Sequence, residues 1–143
     1  MRTSALVDTG AIIAYLDKDD EWHSVCAEAF KYVNLPLLTS DAVLTEVFHF
    51  LGPRSRKLDT AINFIRSGVL TIGTIGDNDL PNLMRLIKQY RDCPMDFADA
   101  TLVHLAERES LNTILTVDFS DFETYRIEGR KRFRILPTSR PAR

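Results

Sequence analysis

Cysteine is nearly absent: Cys26 and Cys93 are the two in 143 residues. Two thiols make neither a disulfide framework nor a zinc site, and they suit a reducing compartment. Long hydrophobic runs are missing too. Stretches such as Ala11–Leu16 fall far short of the roughly 20 apolar residues that span a bilayer. The opening MRTSALVD has no signal-peptide layout, so a cytoplasmic chain with no membrane partner is expected. Glycines number six, and neither G-x-x-x-x-G-K-[ST] nor G-x-G-x-x-G occurs, which argues against a nucleotide-binding loop. His23, His49 and His104 fall at no metal-ligand spacing.

What is present is a globular composition. Hydrophobic residues make up 45% and charged residues 27%, which excludes a disordered chain. The length suits a single domain over residues 1–143 with a buried core. The net charge of −2 is unevenly spread. From about residue 126 the chain carries Arg126, Arg130, Lys131, Arg132, Arg134, Arg140 and Arg143 against Glu128 alone, which leaves the first 125 residues at −8. An acidic body with a basic C-terminal end is what a cation site beside a phosphate-binding surface would show. Arg130, Lys131, Arg132 and Arg134 are the candidate phosphate contacts, and a solvated basic tail is the plain alternative.

The chain alternates short β-rich runs with longer helical patterns. Strands are expected at Ser4–Val7, Leu37–Thr39, Val69–Ile72, Asn112–Val117 and Phe133–Leu136. Helices are expected at Ala11–Leu16, Ser24–Tyr32, Asp41–Leu51, Leu58–Ser67, Asn78–Tyr90 and Asp96–Glu109. In the fourth of these, Ala61, Ile62 and Ile65 share one face. Such alternation predicts an α/β fold with a mostly parallel sheet covered on both faces. Ligands then bind beyond the carboxyl ends of the strands.

Four carboxylates fall where that rule points. Asp8 and Asp118 each follow a strand, after Ala5-Leu6-Val7 and Ile114-Leu115-Thr116-Val117. Taken alone, each is as well explained as a helix cap. Glu46 shares a helix face with Val43 and Phe50, and Asp99 shares one with Val103 and Ala106. An acid on an apolar face is costly unless paired or bound to a cation, although Asp99 also fits a first-turn partner of a capping Asp96. As a set the four are more specific. Converging carboxylates repel unless a cation neutralises them, and all-oxygen donors select a hard ion, Mg²⁺ or Mn²⁺. Such a site suits phosphodiester hydrolysis. An aspartyl-phosphate phosphatase is disfavoured, because Gly10 stands where its second Asp would be.

The ordered segments Val7-Asp8-Thr9-Gly10, Leu44-Thr45-Glu46-Val47, Asp99-Ala100-Thr101-Leu102-Val103-His104 and Thr116-Val117-Asp118-Phe119-Ser120-Asp121-Phe122 resemble the PIN domain, most of all its VapC-type toxins. The resemblance runs over nearly the whole chain. It implies a three-layer α/β/α sandwich and a metal-dependent endoribonuclease that cleaves RNA phosphodiester bonds. By position it implies that Asp8, Glu46, Asp99 and Asp118 are both catalytic and metal-ligating, with Mg²⁺ or Mn²⁺ as cofactor. Asp121 competes with Asp118 for the fourth place. Asp96, Thr9 and Thr116 are supporting residues, the two threonines orienting a carboxylate or a water. The resemblance further implies a small antitoxin partner and a homodimer. The alternative is a catalytically silent RNA-binding or regulatory module on the same fold, against which stands the presence of all four acids.

Overall fold

The structure is a computed structural model that describes residues 4–142, so Arg143 of the basic end lies outside the described residues. The strands are β1 (Leu6–Val7), β2 (Leu37–Ser40), β3 (Leu70–Gly73), β4 (Thr113–Leu115), β5 (Arg126–Ile127), β6 (Lys131–Arg132) and β7 (Arg134–Leu136). The helices are α1 (Thr9–Leu16), α2 (His23–Ala29), α3 (Asp41–Leu51), α4 (Leu58–Arg66), α5 (Leu80–Gln89), α6 (Phe97–Glu109) and α7 (Phe119–Thr124). Five strands form one parallel sheet in the order β3-β2-β1-β4-β7. Every residue of β1, β2 and β4 is buried. Neighbouring residues of a strand face opposite ways, so this sheet has cover on both sides. The result is the α/β sandwich expected from the alternation.

The order of the strands fixes where a site can form. The chain runs outward from β1 through β2 to β3, then returns to place β4 on the other side of β1. The crevice between the carboxyl ends of β1 and β4 is the switch point of such a sheet. The register pairs Leu6 with Ile114 and Val7 with Leu115, so Asp8 and Thr116 leave the sheet side by side. The Asp8 N–H still donates to the Leu115 carbonyl at 2.9 Å.

Helix α3 keeps its expected bounds for local reasons. Ser40 caps it by accepting from the Val43 N–H at 3.2 Å. Gly52 ends it with a φ of +77°, a conformation glycine adopts at little cost. Helix α6 is the central helix of the core, buried without a break from Ala98 to Ala106. It closes at Ser110 in the left-handed conformation.

Some expectations shift. The helix expected over Ser24–Tyr32 stops at Ala29 and tightens into a 3₁₀ turn over Phe30–Tyr32. The helix expected from Asn78 starts at Leu80, with Pro81 in its first turn and a 3₁₀ turn over Asp77–Asp79 before it. On α4 the inward residues are Ala61 and Phe64, whereas Ile62 is exposed. The pattern Ala61, Ile62, Ile65 had rotated the face by one residue. Phe50 is exposed as well, so the apolar face beside Glu46 ends at Val43 and Val47. The basic end is not a loose tail: residues 126–132 form the β5–β6 hairpin, and β7 is an edge strand of the main sheet. Among the described residues no helix is long and apolar enough to cross a membrane.

Candidate active site

Asp8 emerges from β1 as the N-cap of α1, and its two oxygens are both engaged. One accepts from the Thr9 N–H at 2.7 Å, and the other accepts from the Thr116 hydroxyl at 3.0 Å. Thr116 also uses its Oγ1 to accept from the Asp118 N–H at 3.0 Å, so one side chain ties the end of β4 to both acids. Thr9 donates its hydroxyl to Glu46 Oε1 at 2.7 Å, which fastens α3 to α1. The two threonines flagged by the sequence therefore each hold a carboxylate.

Asp96 and Asp99 come from the start of α6. Asp96 caps the helix by accepting from the Asp99 N–H at 2.8 Å. Asp99 itself caps nothing. It is buried, and Asp99 Oδ2 accepts from the Tyr125 hydroxyl at 2.8 Å. Sequence reasoning missed Tyr125. It lies 26 residues from Asp99, and no spacing rule links a residue after α7 to the first turn of α6. Its fully buried ring packs against Tyr90 and Phe122, whose ring centroids stand 5.1 and 5.2 Å away.

Asp118 and Asp121 enter from α7. Asp118 occupies the cap position but makes no capping hydrogen bond, and its exposed carboxylate meets that of Asp121 instead. The electrostatics connect the set. Burial pushes Asp8 up to about 6 against the two hydrogen bonds it accepts, and the charges of Glu46 and Asp118 push it the same way. Burial pushes Asp99 up to about 8, helped by Asp8, Asp96 and Asp121 and opposed by the Tyr125 hydrogen bond. Asp121 rises to about 6 through burial, its contact with Asp118, and the charges of Asp118 and Asp96. Six acids from four segments thus share one region, and burial and neighbouring charge raise the proton affinity of Asp8, Asp99 and Asp121. The charge of Asp118 acts on Asp8, and that of Asp121 acts on Asp99.

Among the described residues no three of these side chains close on a single point tightly enough to ligate an ion by themselves. Such an opening suits Mg²⁺, which prefers one or two carboxylates and fills its remaining positions with water and phosphate oxygens. The donors are all oxygen, and a divalent ion would offset both the burial and the like charge that raise Asp8 and Asp99.

The other candidates are not brought to this cleft. Glu107 stands eight residues beyond Asp99 on α6, about 12 Å along the axis. The β5–β6 hairpin packs at that far end, where the Glu128 N–H donates to Glu107 Oε2 at 2.6 Å. Arg130 pairs there with Glu128 at 3.6 Å. Lys131 and Arg132 lie on the same hairpin, exposed. Arg134 sits beside Thr113, at the opposite end of the sheet from Asp8. Arg140 behaves differently: its guanidinium lies 5.3 Å from the centre of the ring of Phe119, which follows Asp118 in sequence. His104 belongs to a separate network, with Nε2 3.0 Å from Asp79 and Nδ1 2.8 Å from the Asn82 amide.

A family model of the PIN domain matches residues 5–128. The ribonuclease VapC26 of Mycobacterium tuberculosis (strain ATCC 25618 / H37Rv) is 28% identical over 135 residues, covering 92% of this chain and 99% of the relative. Among solved structures, M. tuberculosis VapC20, a toxin that cleaves the sarcin–ricin loop, superposes with a TM-score of 0.71 at 20% identity, over 82% of this chain and 94% of that one. VapBC2 from Rickettsia felis, bound to a DNA fragment from its promoter, gives a TM-score of 0.64 at 15% identity, over 92% of this chain and 97% of that one.

Proposed function

The chain belongs to the PIN domain family, and from that premise we propose that it is a metal-dependent endoribonuclease, the toxin of a toxin–antitoxin pair. The observation that carries the reading is the cleft at the switch point, where Asp8, Glu46, Asp96, Asp99, Asp118 and Asp121 repel one another. Asp8 and Asp96 also cap helices, but Glu46, Asp99, Asp118 and Asp121 cap none, and a cation acting on a phosphodiester would account for gathering them here. The relative named a ribonuclease and the VapBC2 complex support the activity and the small antitoxin partner.

Asp8 and Asp99 are the proposed inner ligands of Mg²⁺ or Mn²⁺, with Glu46 and the Asp118–Asp121 pair completing the charge around it. A divalent ion held there supplies Lewis acidity to the phosphoryl oxygen and counter-charge for the leaving oxygen. The protein's own residues do the rest. Thr116 and Thr9 fix the rotamers of Asp8 and Glu46, so their oxygens face the cleft without searching for it. Tyr125 orients Asp99 in the same way and leaves Asp99 Oδ1 free. Asp121, raised to about 6 beside Asp118, is the proposed acceptor of a proton from an attacking water. The soluble site is paired with RNA as substrate, and a homodimer in the cytoplasm is the expected form.

The test is cleavage by protein freed of any bound partner, assayed on single-stranded and stem-loop RNAs with Mg²⁺, with Mn²⁺ and with chelator. Cleavage that needs the ion is expected. A folded protein that binds RNA and cleaves none under any of these conditions would support the silent-module reading instead.

A further inference from the structure

Phe97 opens α6 between Asp96 and buried Ala98, two residues before Asp99, and its ring is 48% exposed. The ring is one wall of an open cleft of about 520 Å³. Asp96 lies beside it, and Asp41, Thr45 and Glu46 of α3 form the facing wall. Glu46 and Asp96 are members of the acid cluster, so this cleft leads directly out of the site described above.

An exposed aromatic on the rigid first turn of a buried helix is a flat apolar surface held in place. Its surroundings combine apolar surface with acidic groups. Most of the cleft's lining is apolar, with Ala42 and Ala98 beside the ring, and the carboxylates of Asp41, Glu46 and Asp96 supply its hydrogen-bond acceptors. The ligand that fits has a flat π-face and N–H donors at its edge. A nucleobase has both: its face stacks on aromatic rings, and its exocyclic amine donates to carboxylates. Only an unpaired base is free to do so.

We propose that Phe97 is a stacking platform for an unpaired RNA base adjoining the phosphate held at the acids, and that it sets the position along the strand where cleavage falls. The proposal rests on the ribonuclease reading above and adds a residue to it. Stacking commits the enzyme to a nucleotide splayed out of any helix, so a cut in a structured RNA falls in a loop.

The test compares Phe97→Ala, Phe97→Leu and Phe97→Trp with the wild type in Mg²⁺. Stopped-flow anisotropy on a short labelled single-stranded RNA reads binding before cleavage, and steady-state assays read KM and kcat. Thermal melting confirms that each variant is folded. The alanine and leucine variants are expected to bind about tenfold more weakly and the tryptophan variant to match the wild type. The same RNA made abasic at one position after another should show no difference between wild type and Phe97→Ala once the stacked base is missing. Leucine matching phenylalanine, or an alanine penalty that persists on every abasic RNA, overturns the stacking role. Unchanged RNA binding together with lost self-association, or lost capture of an antitoxin, reassigns Phe97 to a protein interface and overturns it as well. Stacking that survives in a wild type unable to cleave RNA would sink the ribonuclease reading and leave this one standing.

Discussion

At the scale of single residues, Asp99 carries the sharpest expectations. Its carboxyl rises from an ordinary 3.8 to about 8, with burial the largest cause. A raised folded-state value means the folded protein holds the proton more tightly than the unfolded chain. The stabilisation is therefore complete below the ordinary carboxylate value and is lost as pH climbs through about 8. Asp8 adds the same effect over the lower window that ends near 6. Chelated protein should melt at falling temperature as pH rises toward 8, by roughly 3 °C for each kcal/mol lost. Asp99→Asn should flatten the part of that decline above pH 6, keep the fold and abolish cleavage. Added Mg²⁺ should restore the wild type at high pH and leave the variant unmoved; a melting curve indifferent to both would remove the cluster from consideration as a cation site. Thr116→Val makes a different prediction. It keeps the shape but withdraws the hydroxyl from Asp8 and from the Asp118 N–H. The expected result is about 1–3 kcal/mol of lost stability and a 10–100-fold weaker Mg²⁺ requirement curve, read by titrating the ion in the cleavage assay. The acids and both threonines were legible because each sits at a strand end or on a helix face. Tyr125 was not, since its bond to Asp99 exists only where the tertiary fold returns the end of α7 to the start of α6.

At the scale of elements, the approach of α1 to the loop after β4 decides the spacing of Asp8 and Asp118. Gly10 makes it close: a Cβ there would fall 2.5 Å from Val117 Cγ2. Val117 is β-branched and has few rotamers with which to yield. Gly10→Ala should therefore cost on the order of 1–3 kcal/mol as overpacking and lower kcat more than it raises KM, as the two acid-bearing segments are pushed apart. A variant that melts and turns over like the wild type would show that the loop gives way freely. The elements that the sequence foretold well are those with local signals at both ends, such as α3 between Ser40 and Gly52. The β5–β6 hairpin was missed because two-residue strands of Arg, Ile and Lys carry no alternation. Its one local signal was the Glu128-Gly129 pair, whose φ values of +54° and +73° make the turn. The rotated face of α4 has another cause. Ile62 and Phe64 are both apolar, and only the position of the sheet beneath chooses between them.

For the whole molecule, charge is arranged along the axis of α6. The acids gather at its N-terminal end, and the basic hairpin sits about 12 Å or more away at its C-terminal end. An RNA held at the acids meets that hairpin only if its strand runs along α6. Replacing Arg130, Lys131, Arg132 and Arg134 together by Gln should leave cleavage of a short oligonucleotide unchanged within about twofold, because electrostatic coupling between exposed groups fades beyond a Debye length of about 8 Å. Arg140 lies over the ring of Phe119, the residue that follows Asp118 in the chain. Arg140→Gln should weaken binding of the same oligonucleotide and lower the slope of log affinity against log salt by about one unit, as the loss of one phosphate contact requires. Measured side by side, the two variants separate the clustering of basic residues in sequence from their placement in space. A slope that falls with the quadruple variant and holds with Arg140→Gln would mean that the strand crosses the molecule by way of the hairpin, and that the cleft at α6 does not by itself define its path.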